Sequence, residues 1–134
     1  MTKKPESKLS NDFIKATKDR VFWTRIESWA LPGVPDLHGV AEGQAFWIEL
    51  KVVNKESLTN IGLRPHQKQW QARYLAAGGR VFNLVHRPSR GVLELFGGIP
   101  LSLELGSCLY EIPKNDHGYR MIVDFILSMD HRQS

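Results

Sequence analysis

The sequence predicts an α/β fold: a mixed sheet of about five strands flanked by helices. Three observations carry this. Short runs rich in β-branched and aromatic residues, bounded by Gly, Pro or polar breakers, recur through most of the chain. Segments of helical period interrupt them. The 134 residues are one domain's length, with no internal repeat or low-complexity tract.

Residues 1–9 are polar and lysine-rich and read as a flexible basic arm, leaving 10–134 as a single domain. Ser10, Asn11 and Asp12 are candidate caps for a helix carrying Phe13, Ile14 and Ala16 to about Arg20. Strands are expected over Val21–Ser28, Asp36–Ala41, Ala45–Val53, Arg80–His86 and Val92–Phe96. Between the third and fourth, Pro65 suits the first turn of a helix. Trp70, Tyr74 and Ala77 follow at helical spacing and Gly78-Gly79 stops it, giving a helix over 65–77. Lys55–Gly62 is polar and expected to be a mobile loop. After a Leu-rich piece at 101–105, Tyr119, Met121, Ile122, Phe125, Ile126 and Met129 make a last amphipathic helix.

A single cysteine, Cys108, excludes an internal disulfide and fits a reducing, cytoplasmic setting. No run approaches the ~18 apolar residues of a membrane span. The start Met1-Thr2-Lys3-Lys4 leads into polar residues rather than an apolar signal core, so the protein is expected to be unsecreted and to have no membrane partner. A net charge of +4 and an isoelectric point near 9.4 permit a nucleic-acid partner without requiring one.

The chemistry is concentrated between Gly33 and Lys51. In a strand over 45–53, Phe46, Ile48 and Leu50 point to one face, and Trp47, Glu49 and Lys51 to the other. If Glu42-Gly43 is a two-residue turn, Ala41 pairs with Gln44, His38 faces Trp47, and Asp36 faces Glu49. A loop two residues longer sets Asp36 opposite Lys51 instead. Either register gathers Asp36, Glu49 and Lys51 on one face. Two carboxylates about 5 Å apart repel, so a cation should compensate. Lys51 offsets one charge, and a hard divalent ion such as Mg²⁺ suits the remainder, with water and a phosphate completing its shell. An isolated Glu-x-Lys is ordinarily an exposed ion pair, but this one sits within Phe46-Trp47-Ile48-Glu49-Leu50-Lys51-Val52-Val53, where exposure is not expected.

Gly33-Val34-Pro35-Asp36 followed by Ile48-Glu49-Leu50-Lys51 resembles the signature of the PD-(D/E)xK nuclease superfamily, over roughly residues 20–86. Within it the sequence looks most like the stand-alone virus-type replication-repair nucleases (VRR-NUC). Their pattern adds a helical Gln and a Gly-Gly stop before another strand, here Gln67 and Gly78-Gly79. The resemblance implies a restriction-endonuclease-like fold and a metal-dependent endodeoxyribonuclease, with Mg²⁺ as cofactor and Mn²⁺ as substitute. Asp36 and Glu49 become metal ligands, the Leu50 carbonyl completes the shell, and Lys51 is the catalytic lysine. Glu27 is a candidate third acid for catalysis and metal binding, with Asp12 on the first helix as the alternative. Gln67 shares the inward face of Trp70 and is expected at the active site. Arg64, His66 and Lys68, near a helix N-terminus that favours anions, are candidate nucleic-acid contacts, as are Arg25 and His38.

Small stand-alone proteins similar to this one cut branched DNA, including Holliday junctions, in recombination, repair or replication in bacteria or phage-infected cells. A nickase, a flap endonuclease or an inactive nucleic-acid-binding protein of the same fold is the alternative. Cutting two strands favours a homodimer, its interface either the last helix or the 101–105 piece, unless these pack within the monomer. With the three candidate acids set aside, 18 basic groups face 11 acidic ones, a balance of +7. Lys3, Lys4, Lys8, Lys15, Lys18, Arg20, Arg64, Lys68, Arg73, Arg87 and Arg90 are then available to track phosphates.

Overall fold

In the computed structural model, which describes residues 5–26, 31–55 and 60–129, the period-two segments form one sheet of six strands lying side by side in chain order. These are β1 (Phe22–Arg25), β2 (Leu37–Ala41), β3 (Gln44–Val52), β4 (Val81–Arg87), β5 (Val92–Gly97) and β6 (Tyr110–Pro113). Three helices flank it: α1 (Pro5–Thr17), α2 (Pro65–Ala76) and α3 (Asp116–Ser128). Every neighbouring pair is antiparallel except β3 and β4. Parallel strands need a long crossover, and α2 lies within this one.

The alternation in β3 divides the molecule. Phe46, Ile48 and Leu50 join Leu37, Leu84, Leu93 and Leu95 under α1 and α3, with Phe13, Tyr119, Ile122 and Ile126 supplied by the helices. The opposite face carries Trp47, Glu49 and Lys51 and is covered partly by α2. Beyond α2, Ile61, Leu63 and Ile99 close over Val85 and Phe96. Among the described residues no helix is long and apolar enough to cross a membrane.

Several boundaries differ from the sequence expectation. Residues 5–9, read as part of an arm, belong to α1. Pro5 is tolerated in a first helical turn, Glu6 suits the positive end of the helix dipole, and Leu9 is buried. Ser10, Asn11 and Asp12 therefore lie inside the helix, where they serve tertiary contacts rather than a cap. Arg25 donates to Ser10 Oγ and Asn11 Oδ1, and Asp12 meets Lys8 and Lys114 at 3.5 and 3.6 Å. The sixth strand is the other addition. It is four residues long and ends in Pro113, which an edge strand accepts because its outer side needs no donor. The first strand ends at Arg25 rather than Ser28, and residues 27–30 lie outside the described residues.

Of the two candidate interface segments, α3 is used within the chain: Ile122 and Ile126 are wholly buried and Phe125 stacks on Tyr110 at 5.0 Å. The 101–105 piece has no regular structure and exposes Leu101 and Leu103. Of the 55–62 loop, residues 56–59 lie outside the described residues, while Ile61 is packed into the core.

Candidate active site

The β2–β3 turn sets the geometry. Glu42 and Gly43 both have positive φ, 51° and 75°, as a two-residue type I′ turn demands, and Ala41 pairs with Gln44. The longer-loop register is thereby excluded. His38 pairs with Trp47 and Leu37 with Ile48, so Asp36, one residue before β2, arrives level with Glu49. Its carbonyl accepts from Ile26 N at 2.9 Å, and its Oδ2 accepts from Leu50 N at 2.9 Å. The Leu50 side chain is in the core, so its backbone alone faces the acids.

Glu49 is only 3% exposed. Lys51 Nζ lies 3.7 Å from Glu49 Oε2, and Gln67 Nε2 donates to the same oxygen at 2.5 Å. Among the described residues Glu49 Oε1 is buried with no hydrogen-bond partner. Burial, reinforced by the neighbouring Asp36 carboxylate and opposed by the Lys51 ammonium, pushes the Glu49 carboxyl up to about 9. The group is thus poised for a positive partner that Lys51 only partly provides.

Gln67 reaches Glu49 because both ends of its amide are committed. Oε1 accepts from Arg64 N at 2.8 Å, closing the first turn of α2, and this leaves Nε2 facing the carboxylate. One turn further on, Gln71 and Asn83 exchange two hydrogen bonds, of 2.8 and 3.0 Å. Gln71 Oε1 also accepts from Ile99 N, and Asn83 donates to Gly97 O, each at 3.0 Å. Asn83 stands beside Glu49 in the β3–β4 ladder, so this amide pair sets the rotation of α2 above the acid. A buried amide in β4 opposite one in a helix is a signal the sequence holds, but the partner strand has to be known before it can be read.

The remaining candidates fall into three groups. Glu27 lies outside the described residues. Asp12, its alternative, is engaged by Lys8 and Lys114; another acid of α1, Glu6, comes to β3 instead, accepting from Val52 N at 3.1 Å. The sequence signal for Glu6 was an acid following a helix-starting proline. Arg64 and His66 are exposed and Lys68 is half-buried, all at the start of α2, and the His38 ring packs on Trp47 at 4.7 Å. Arg25 is turned to α1 through Ser10 and Asn11. Three expected arginine contacts are otherwise occupied, Arg90 among them through Glu94 and Glu111, and Lys3 and Lys4 lie outside the described residues. Arg87 is 1% exposed, paired with Glu94, and donates to Lys55 O at 3.2 Å, while Arg20 joins Asp124 and Glu42.

Among the described residues there is no cluster of three or more His, Cys, Asp or Glu. The donor set is two adjacent carboxylates, one with a buried oxygen lacking a partner. That fits a hard divalent cation whose other positions go to water and substrate oxygens rather than an all-protein cage.

The architecture is restriction-endonuclease-like: a mixed α/β fold with a six-stranded mixed sheet flanked by three helices. The chain is similar in structure to Hjc of Archaeoglobus fulgidus, a Holliday junction resolvase from an archaeal hyperthermophile. The TM-score is 0.50 at 15% identity, covering 87% of this chain and 88% of that one. No protein-family model and no curated protein sequence matches the chain.

Proposed function

We propose that the protein is a divalent-metal-dependent endodeoxyribonuclease of the PD-(D/E)xK type acting on branched DNA, in the manner of a Holliday junction resolvase. The observation that supports this best is the buried Glu49 carboxylate, with one oxygen held by Gln67 and Lys51, the other unpartnered, and Asp36 beside it. The Gln67–Glu49 contact is also what favours a VRR-NUC-like enzyme within that class.

Asp36 and Glu49 would hold the cation, assisted by the Leu50 carbonyl, with Mg²⁺ the physiological ion and Mn²⁺ a substitute. When bound, such an ion supplies an activated water and offsets charge growing on the phosphate. Gln67 holds Glu49 Oε2, so that Oε1 would be the oxygen available to hold the ion. Lys51, on the same face, would orient that water or bear on the phosphate as a point charge. Glu27 is retained as a third acid. Arg64, His66 and Lys68 would position the backbone from the N-terminus of α2, with His38 at the edge of the site; Arg25 contributes only if it leaves α1. Cutting both strands of a junction calls for two such sites and hence a homodimer, for which exposed apolar residues are at hand both at Leu101, Leu103 and Leu109 and at Phe22 and Val40 on the β1–β2 side.

The test is cleavage of a panel of junction, flap, nicked-duplex and single-stranded DNA with Mg²⁺ or Mn²⁺. Junction or flap cutting that a chelator abolishes is expected. Asp36→Asn and Lys51→Ala should each lower it about a hundredfold or more. Undiminished cleavage by folded Asp36→Asn would overturn the mechanism, and binding without cleavage under either ion would make the protein a DNA-binding relative.

A further inference from the structure

A second feature lies beside the acids. A cleft of about 560 Å³ runs along the outer side of α2, lined by Pro32, His66, Gln69, Trp70, Arg73 and Tyr74. It is built by a close approach: Gly33, at φ +89°, sits so near α2 that a β-carbon there would lie 2.8 Å from the His66 carbonyl oxygen, which seats Pro32 as the opposite wall. Trp70 and Tyr74, a turn apart, are stacked at 4.7 Å and 15°. Trp47 stands edge-on to both, its Nε1 donating to the Tyr74 hydroxyl at 3.1 Å. The aromatic pair is only half-buried, and the flanking His66 and Arg73 are exposed.

The geometry points to a stacking pocket for an unpaired nucleobase of the DNA being cut. Its size suits a group of that bulk. Aromatic faces rimmed by the Arg73 guanidinium and the His66 imidazole match a base attached to an anionic backbone, and stacking is indifferent to which base is present. That accords with a chain in which no base-reading motif is found. Trp47, edge-on to the aromatic pair, and Glu49 are two residues apart on one face of β3, about 7 Å along the strand, so the pair and the acids share one side of the sheet. Bases inside a duplex are already stacked and enter only at the cost of unpairing. The favoured occupant is therefore a base in a flap or gap, or one opened at the branch point of a junction, and the pocket turns shape selection into a preference for unpaired or readily unpaired nucleotides beside the acids. This rests on the nuclease reading and names its substrate feature.

Equilibrium binding in chelator, followed by fluorescence anisotropy, tests it with two flap substrates. One carries thymines in the unpaired segment, and the other carries abasic nucleotides at the same positions. The wild-type chain should bind the thymine substrate about tenfold more tightly. Trp70→Leu, which keeps apolar bulk against the sheet, should bring that ratio to about one and leave abasic binding unchanged. Because this variant is exposed to misfolding, a 5-iododeoxyuridine in the unpaired segment is also photocrosslinked to the wild-type protein, with attachment expected at Trp70 or Tyr74. A wild-type ratio of one, or crosslinking only elsewhere, overturns the pocket. Cleavage that persists alongside such a result leaves the nuclease reading standing. A high ratio with no cleavage under Mg²⁺ or Mn²⁺ removes that reading and keeps the pocket.

Discussion

Glu49 occupies a position where its charge is disfavoured, and this has thermodynamic consequences. The folded chain keeps its proton up to about 9, whereas the unfolded carboxyl loses it near 4.5. Through that window the native state binds more protons, so stability falls as pH rises. In chelator, the melting temperature should decline from pH 5 to 9. Mn²⁺ or Mg²⁺ should raise it, by more at the alkaline end, because a ligand selective for the ionised native site stabilises by mass action. Glu49→Gln should flatten the pH dependence and abolish the cation effect. A cation effect unchanged in that variant would place the ion elsewhere. Gln67 belongs to the same account, since its donation to Oε2 favours the ionised form while Arg64 N holds its other end.

At the scale of elements, α2 depends less on its own amphipathicity than on the Gln71–Asn83 pair. Removing either amide strands a buried partner, at a cost of about 1–3 kcal/mol. Gln71→Ala and Asn83→Ala should each destabilise by that order in urea, and the double variant by clearly less than their sum. Additive losses would mean the two act separately. What the sequence disclosed follows the same division. The β2–β3 hairpin was legible because Glu42-Gly43, the period-two alternation and the Asp36, Glu49 and Lys51 spacing are local signals. Pro65 and Gly78-Gly79 likewise framed α2 to within a residue. The start of α1 was misread because Ser10, Asn11 and Asp12 look like caps until Arg25 and Lys114 are brought to them from elsewhere in the chain. Strand β6 escaped because four residues ending in proline carry little pattern of their own, and Glu6 because its partner, Val52 N, is 46 positions away.

Across the whole molecule, the basic excess divides into charges that are spent internally and charges that are free to meet a polyanion. Arg20, Arg80, Arg87 and Arg120 are tied to carboxylates or carbonyls, whereas Arg64 and Arg73 lie exposed along α2. Salt titration of DNA binding should separate them. Arg64→Ala is expected to reduce the slope of log K against log salt by about one, by removing one phosphate contact. Arg87→Ala should leave the slope alone and lower the melting temperature, because it leaves Glu94 buried against one fewer cation. The reverse pattern would mean that the DNA contacts the Arg87 end of β4 rather than the first turn of α2.

The single parallel pair, β3 with β4, bears on how such a chain can change in length. Each other connection between adjacent strands turns back on itself, and the Glu42-Gly43 tip lies at the far end of its hairpin from Asp36 and Glu49. The crossover instead leaves β3 just past Lys51 and returns over the acids as α2, which residues 60–64 lead into. Insertions ahead of the helix would add surface beside Asp36, Glu49 and Lys51 without altering any strand register. New substrate preferences can therefore be grafted onto this scaffold at one place, while the hairpin that carries the acids stays fixed in size.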